Sequence, residues 1–239
     1  MKRVSVLGYR VCDTTYRDML LEIKEMITAR EKVSIISLNP NKVMLAERDP
    51  RVKEILLKAT YIIPDGTGII WASRREEELK NRITGISLFE EICLNAVEIG
   101  AKLFLYGASP AVVEATRNVL LQKYPAIVIA GIMDGYTEME EGLVQQINAS
   151  GANILAVAMG SPKQELWIAA HAEELLNINV CIGLGGAFDV ISGKIKRAPK
   201  WMLKLGLEWL YRICRQPISR FRNIFTLIQF CKVVFTQKK

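Results

Sequence analysis

Short apolar runs rich in Val and Ile recur along the chain at residues 33–37, 61–63, 102–106, 127–130, 153–159 and 180–184, and between them the apolar positions fall at helical spacing. Continuous runs of this length suit strands buried on both faces, and their alternation with helices is the signature of βα units joined into a parallel sheet. An α/β fold is therefore expected, with a Rossmann-like, mostly parallel sheet and flanking helices. Ser87 with Glu90 and Thr137 with Glu140 match capping boxes at helix starts, and Gly100 and Gly151 supply the stops. Ser109-Pro110 and Ser161-Pro162 each set an N-cap hydroxyl before a proline at the first helical position, directly after a strand. Such turns sit at strand carboxyl ends, where open α/β sheets bind ligands. Nearer the amino terminus, residues 4–7 and 10–13 flank Gly8-Tyr9 and are expected to form a small hairpin before a helix capped at Thr14 or Thr15.

The pattern changes after Gly193. Trp201, Leu205, Glu208, Trp209 and Arg212 follow at spacings of one, three and four, as in an amphipathic helix. A second helix is expected near Pro217, with Phe221, Phe225 and Ile228 on one side and Arg220 and Arg222 beside them. The expected organisation is an α/β catalytic core over residues 1–193 and a basic amphipathic helical appendage over residues 194–239.

Charge sharpens this division. The chain has a net charge of +7, yet residues 194–239 hold 12 Lys and Arg against the single acid Glu208, leaving 20 basic and 24 acidic residues in the rest. A tail of +11 on a body of −4 argues for an anionic partner, either a membrane surface or a nucleic acid. Single-strand recognition adds stacking aromatics on a sheet or groove, whereas these aromatics lie at helical spacing among Leu and Ile, so the membrane is favoured and no nucleic acid is expected. No window reaches the ~18 uninterrupted apolar residues of a spanning helix, and the apolar stretch after Lys2 and Arg3 ends by Gly8, too short for a signal peptide. Five cysteines without a CxxC read as reduced, buried thiols of a cytosolic protein. A cytoplasmic protein bound peripherally to the inner membrane face is the expectation. Half the 239 residues are hydrophobic and 24% charged, enough for a large core.

The candidate chemistry lies in the turns. Gly160-Ser161-Pro162-Lys163-Gln164-Glu165 and Gly183-Leu184-Gly185-Gly186-Ala187-Phe188-Asp189 each follow a strand-like run. Glycines let a backbone approach an anion closely, and amides opening a helix carry partial positive charge, so both read as the floor of a phosphate site for a nucleotide or nucleotide-sugar. Phe188 stands where a dinucleotide fingerprint needs its third glycine, and Ile195 after Lys194 breaks a Walker A match. Gln164 is open to two readings, a capping-box partner of Ser161 or a ligand contact. Asp189 binds a hydroxyl-rich ligand or caps the next turn. Pro64-Asp65-Gly66-Thr67-Gly68 is a good turn signal, and Asp65 at a strand end is also placed to accept a proton from an incoming hydroxyl. His171 has no GxSxG elbow to serve and reads as a partly exposed helix position. No DxD occurs, so a carboxylate-bound metal is not expected.

Taken together these residues resemble the WecG/TagA/CpsF family of bacterial glycosyltransferases. The likeness rests on Ser37-Leu38-Asn39 with Val43, the Pro64 to Gly68 segment, Arg82-Ile83-Thr84-Gly85, Gly107, the Gly131 to Tyr136 segment with Asp134, the two glycine turns, Ser192-Gly193, Arg197-Ala198-Pro199, and the Gly206 to Arg212 segment. It implies inverting, metal-independent transfer of an N-acetylhexosamine, typically N-acetylmannosamine from its UDP derivative, to lipid-linked N-acetylglucosamine on undecaprenyl diphosphate, as in the linkage unit of wall teichoic acid. No cofactor is implied. By the resemblance, Asp65 is the base, Arg82 and Gln164 are further catalytic positions, and Ser37 and Asn39 match a Thr-Pro-Asn segment from which Ser37 and Leu38 depart. The implied donor site comprises Ser37, Asn39, Gly107, Gly131, Asp134, Gly160, Pro162, Gly183, Gly185, Gly186 and Asp189. Arg212, Arg220 and Arg222 are expected to meet the acceptor diphosphate or lipid headgroups, through paired hydrogen bonds that lysine cannot form. Another UDP-sugar donor, such as a hexosaminuronic acid or hexose, and a non-enzymatic nucleotide-binding regulator are the competing readings. The sequence leaves open whether the chain forms a homo-oligomer.

Overall fold

The computed structural model describes the backbone of residues 1–136, 140–215 and 217–236, with side chains throughout except at positions 140, 141, 200, 204, 212 and 217–223. Thr137, and with it the capping box to Glu140, lies outside the described residues, as do the side chains of Phe221, Arg212, Arg220 and Arg222.

The chain opens with a hairpin, β1 (Lys2–Val6) and β2 (Tyr9–Asp13), followed by α1 (Tyr16–Ala29), β3 (Val33–Leu38), α2 (Pro40–Ala46) and α3 (Pro50–Lys58). Next come β4 (Tyr61–Pro64), α4 (Thr67–Ser73), α5 (Gly85–Leu94), β5 (Lys102–Gly107), α6 (Pro110–Lys123) and β6 (Val128–Met133). The remainder is α7 (Glu140–Ala149), β7 (Ile154–Ala158), α8 (Lys163–His171), β8 (Val180–Gly183), α9 (Ala187–Ile191), α10 (Lys200–Lys204), α11 (Glu208–Arg215) and α12 (Pro217–Thr236). Strands β3 to β8 form one parallel sheet in the order β4-β3-β8-β7-β5-β6. The α/β expectation and its six strands hold.

Every residue of β4, β7 and β8 is buried, which is why these strands read as unbroken apolar runs. One sheet face carries a single cluster that includes Ile35, Ile63, Leu103, Ile154, Val180 and Ile182. The opposite face is divided. Ile36, Leu38 and Ile62 pack with the hairpin, α2 and α12, whereas Phe104, Tyr106, Leu155 and Val157 pack with α7 and α8. The seam between these halves lies between α2 and α3 on one side and α8 on the other.

Several local expectations shift. The hairpin turn is Leu7-Gly8, both at positive φ (53° and 79°), one residue earlier than Gly8-Tyr9, because Tyr9 is 2% exposed and belongs to β2. Thr15 caps α1 through its bond from the Asp18 amide. The cap of α5 is Thr84, which accepts from the Ser87 amide at 3.3 Å. The expected box partners Ser87 and Glu90 instead hold the Arg197 guanidinium at 2.7 and 2.6 Å. Ser109 stands at an N-cap ahead of Pro110, with no side-chain cap bond. At the other such turn Pro162 occupies the N-cap after a cis Ser161–Pro162 bond, and Ser161 Oγ bonds to Glu165, so no capping box forms there. Cys12, Cys93 and Cys181 are buried, and burial pushes the Cys93 and Cys181 thiols up to about 12. Cys214, in contrast, is exposed and Cys231 half-buried, because the tail helices turn one side to solvent.

The tail breaks into three helices rather than two. Gly206, at φ 71°, closes α10 with the Leu207 amide bonded back to the Met202 carbonyl at 2.8 Å, the left-handed stop that a glycine accommodates. Helix α12 then runs against α2, with Phe230 and Val234 fully buried in the same cluster as the hairpin and α4. Trp71 of α4 meets Phe230 and Phe235 at ring distances of 6.5 and 5.6 Å. Among the described residues no helix is long and apolar enough to cross a membrane.

Candidate active site

The carboxyl ends of β3, β4, β7 and β8 open into two clefts that share Asn39 and Asn41. The larger, about 760 Å³, is lined by the start of α2, by Gly160 and Ser161, by Gly185, Gly186 and Asp189, and by Lys194, Lys196, Tyr211 and Arg215. Lys42 and Arg48 add to its basic lining, against Asp189 as the one acid among the described lining residues. The smaller, about 320 Å³, is bounded by Asp65 to Gly68, Arg82, Thr84 and Ile86, and closed by the tail residues Gly206, Glu208, Trp209, Ile213 and Leu227.

Each polar group is set by its turn. Asn39 is the N-cap of α2, accepting from the Lys42 amide at 3.0 Å while facing both clefts. Asp65 follows β4, its amide bonded to the Leu38 carbonyl at 2.8 Å, so its backbone is held beside the β3 turn. Arg82 donates from Nη2 to the Leu203 carbonyl at 2.7 Å, joining this cleft to the tail. Asp189 pairs with Lys194 at 3.0 Å across the larger cleft.

Gln164 and Ser37 sit behind the clefts rather than lining them. Gln164 is 2% exposed; its Oε1 accepts from the Gly185 amide at 2.8 Å and its Nε2 donates to Glu165 Oε1 at 2.8 Å. A Cβ on Gly183 would fall 2.5 Å from Gln164 Nε2, so that glycine makes room for the amide. Ser37 is buried at the end of β3 against Gly85, whose Cβ would lie 2.6 Å from Ser37 Oγ. The Gly185 amide, offered by the sequence as a phosphate donor, is thus taken by Gln164.

Three expected positions are elsewhere, beyond β7 on the β5–β6 half of the sheet. Gly107 passes the Ala158 backbone, with a Cβ position only 2.6 Å away, and Gly131 admits the Phe104 ring, its Cβ position 2.7 Å from Cδ2. Asp134 accepts from the Tyr136 amide at 2.8 Å. None of the three lines either cleft. His171 is half-buried, its ring tilted at 45° to that of Trp167 and its Nδ1 3.3 Å from Glu174.

The structure also brings in residues the sequence did not single out: Asn41 between the clefts, and Lys42 with Glu165 beneath them. Lys42 and Glu165 form an ion pair at 2.6 Å with side chains 4% and 2% exposed. Burial alone pushes the Glu165 carboxyl up, but the Lys42 ammonium and bonds from Lys42, Gln164 and Ser161 outweigh it, and the group ends below the usual carboxylate range. No local signal marked the pair: Lys42 and Glu165 lie on short helices that also carry exposed polar residues, Asn41 and Lys163, and lysine and glutamate are seldom fully buried unpaired. Among the described residues no three His, Cys, Asp or Glu side chains converge to hold a metal ion.

A basic cleft and a carboxylate-bearing cleft thus meet at the carboxyl ends of a parallel sheet, where open α/β sheets bind ligands. The chain belongs to the WecG/TagA/CpsF family of glycosyl transferases, whose model matches residues 4–239. It is 34% identical over 217 residues, 90% of this chain and 84% of the relative, to N-acetylglucosaminyldiphosphoundecaprenol N-acetyl-beta-D-mannosaminyltransferase of Bacillus subtilis (strain 168). The protein of the same name from Staphylococcus aureus (strain NCTC 8325 / PS 47) is 38% identical over 229 residues, 93% of this chain and 89% of the relative.

Proposed function

We propose that this glycosyltransferase moves N-acetylmannosamine from UDP-N-acetylmannosamine to N-acetylglucosaminyl-diphosphoundecaprenol, with inversion at the anomeric carbon. The observation that carries this reading is the meeting of the two clefts at Asn39 and Asn41, in a chain whose relatives are named for that transfer. A donor diphosphate suits the larger cleft, where Arg48, Lys194, Lys196 and Arg215 supply positive charge. The acceptor sugar suits the smaller one, beside Asp65. An inverting transfer needs one displacement: Asp65 takes the proton from the attacking hydroxyl, the new glycosidic bond forms as the bond to the diphosphate breaks, and UDP leaves. The amides of the Gly160 turn and the cations of the larger cleft stabilise the leaving charge from fixed positions, which requires no reorganisation as the bond breaks, while Arg82 is the further catalytic position beside Asp65 in the smaller cleft.

The tail supports peripheral attachment to an anionic membrane. Trp201, Leu205, Trp209 and Leu210 are exposed beside the basic residues of the same segment, a combination suited to the interfacial region. The roles of Arg212, Arg220 and Arg222 at the diphosphate remain part of this proposal. The test is incubation with UDP-N-acetylmannosamine and a short-chain N-acetylglucosaminyl-diphospholipid. UDP release that depends on the acceptor, together with an acceptor heavier by one N-acetylhexosamine, is expected. UDP-sugar binding without transfer to any lipid acceptor would leave a nucleotide-binding regulator as the reading.

A further inference from the structure

A single carboxylate oxygen, Glu165 Oε1, gathers three donors: Lys42 Nζ at 2.6 Å, Gln164 Nε2 at 2.8 Å and Ser161 Oγ at 3.0 Å. The donors and their backbone partners come from three strand ends. Lys42 is on α2 after β3, with its own amide on the Asn39 cap. Ser161 and Gln164 belong to the turn after β7, and Gln164 reaches the Gly185 amide after β8. These strands stand side by side in the order β3-β8-β7. The same contact crosses the seam on this sheet face, since α2 packs with the hairpin cluster and α8 with the Trp167 cluster.

The orientation of Gln164 follows from the charge at Glu165. An ionised carboxylate accepts hydrogen bonds only, so the Gln164 amide must turn its NH₂ group toward Glu165, leaving Oε1 as the acceptor for the Gly185 amide. Gly183, without a Cβ, leaves the space this orientation needs. Ionisation of Glu165 in turn depends on Lys42, because a carboxylate buried without a cation would take up a proton. Stability alone does not account for the arrangement. Buried ion pairs can often be replaced by apolar side chains of similar volume without loss, and here Glu165 Oε2 is buried with no hydrogen-bond partner among the described residues.

We infer that Lys42 and Glu165 are positioning residues for the donor cleft: their ion pair sets the Gln164 amide and through it the Gly185-Gly186 turn, and through Lys42 itself the Asn39 cap, at the spacing a nucleotide diphosphate requires. This rests on the reading of the larger cleft as the UDP-sugar site.

The experiment uses the full chain and measures UDP affinity by titration calorimetry beside the melting temperature. In Lys42→Met/Glu165→Met the charges leave together, so the melting temperature should stay near that of the wild type while UDP affinity falls tenfold or more. Glu165→Asp keeps the charge but draws the carboxylate back by one methylene, away from three donors that cannot all follow. It should weaken UDP binding severalfold with the fold intact. A purely structural pair predicts the opposite, a double variant that recovers stability and UDP affinity together, and that result would overturn the inference. Failure of both variants to fold also overturns it, since the pair would then be needed by the fold rather than by the cleft. A wild-type chain that binds no UDP removes the donor-site reading, and this inference with it; wild-type binding matched by both variants removes the inference alone.

Discussion

Replacement of Gly206 by alanine tests whether the tail is part of the active site or only attached near it. Gly206 has φ 71° and sits where α10 ends against the Asp65–Thr67 turn. Alanine in the left-handed region costs about 1–2 kcal/mol. The new Cβ would also collide with Thr67 Cγ2 and lie 2.8 Å from Arg82 Nη1, while Arg82 is held by the Leu203 carbonyl. Overpacking of that kind adds about 1–3 kcal/mol, for a total of roughly 2–5 kcal/mol directed at one contact. Since each 1.4 kcal/mol is about tenfold in an equilibrium, opening of the segment around α10 and α11 should become more frequent by at least about tenfold. The strain is carried by the folded state, so the melting temperature should fall as well, by about 2–4 °C for each kcal/mol in a chain of this size. Limited trypsin digestion reports the opening, as cleavage by a protease tracks the population of the open form. Faster cutting within residues 194–215, a raised KM for the lipid acceptor and reduced turnover are expected together. Thr67→Ala added to Gly206→Ala removes the struck methyl and should recover the steric part, leaving the backbone part. A Gly206→Ala chain that resists trypsin and turns over as the wild type does would refute the reasoning, and with it the view that the tail completes the smaller cleft.

Other outcomes follow from the same geometry. Asp65→Asn should retain UDP binding and the fold while losing on the order of 10² to 10⁴ in turnover, as expected for removal of a general base; near-normal transfer would return Asp65 to a turn residue. Because Glu165 is held below its ordinary pKa of 4.5 in the folded chain, its contribution is fully present above that value and is lost as pH falls through the lower folded pKa. Melting temperatures measured downward from pH 5 should therefore fall more steeply for the wild type than for Lys42→Met/Glu165→Met, and parallel curves would count against the ion pair. Phe230→Ala should cost about 3–5 kcal/mol in a urea melt, because the ring is fully buried among α2, α4 and the hairpin. A loss under 1 kcal/mol would mean that α12 is dispensable to the core.

What the sequence disclosed follows the reach of each interaction. The strands were legible because burial on both faces makes every residue of β4, β7 and β8 apolar, a signal contained within four or five positions. The strand-end turns were legible for the same reason: Gly160, Gly185 and Asp65 carry their backbone requirements locally. The assignments that shifted depend on residues far along the chain. Ser87 and Glu90 have the spacing of a capping box, and nothing nearby shows that Arg197, over a hundred residues on, takes both side chains. Gly131 marks a close approach, but only the fold shows that the Phe104 ring takes the space. Gln164 was open between cap and ligand contact; it bonds instead to the Gly185 amide and to Glu165, which Lys42 meets across 123 residues. The tail illustrates the same limit in energetic form. Its charge separates it from the body, yet charge is screened over about 10 Å at 0.1 M salt, whereas the burial of Phe230 and Val234 is not screened at all. The same segment whose cations we propose to meet a membrane is therefore held to the core by contacts that charge counting does not reveal. Salt that releases the protein from an anionic surface should accordingly leave the smaller cleft closed.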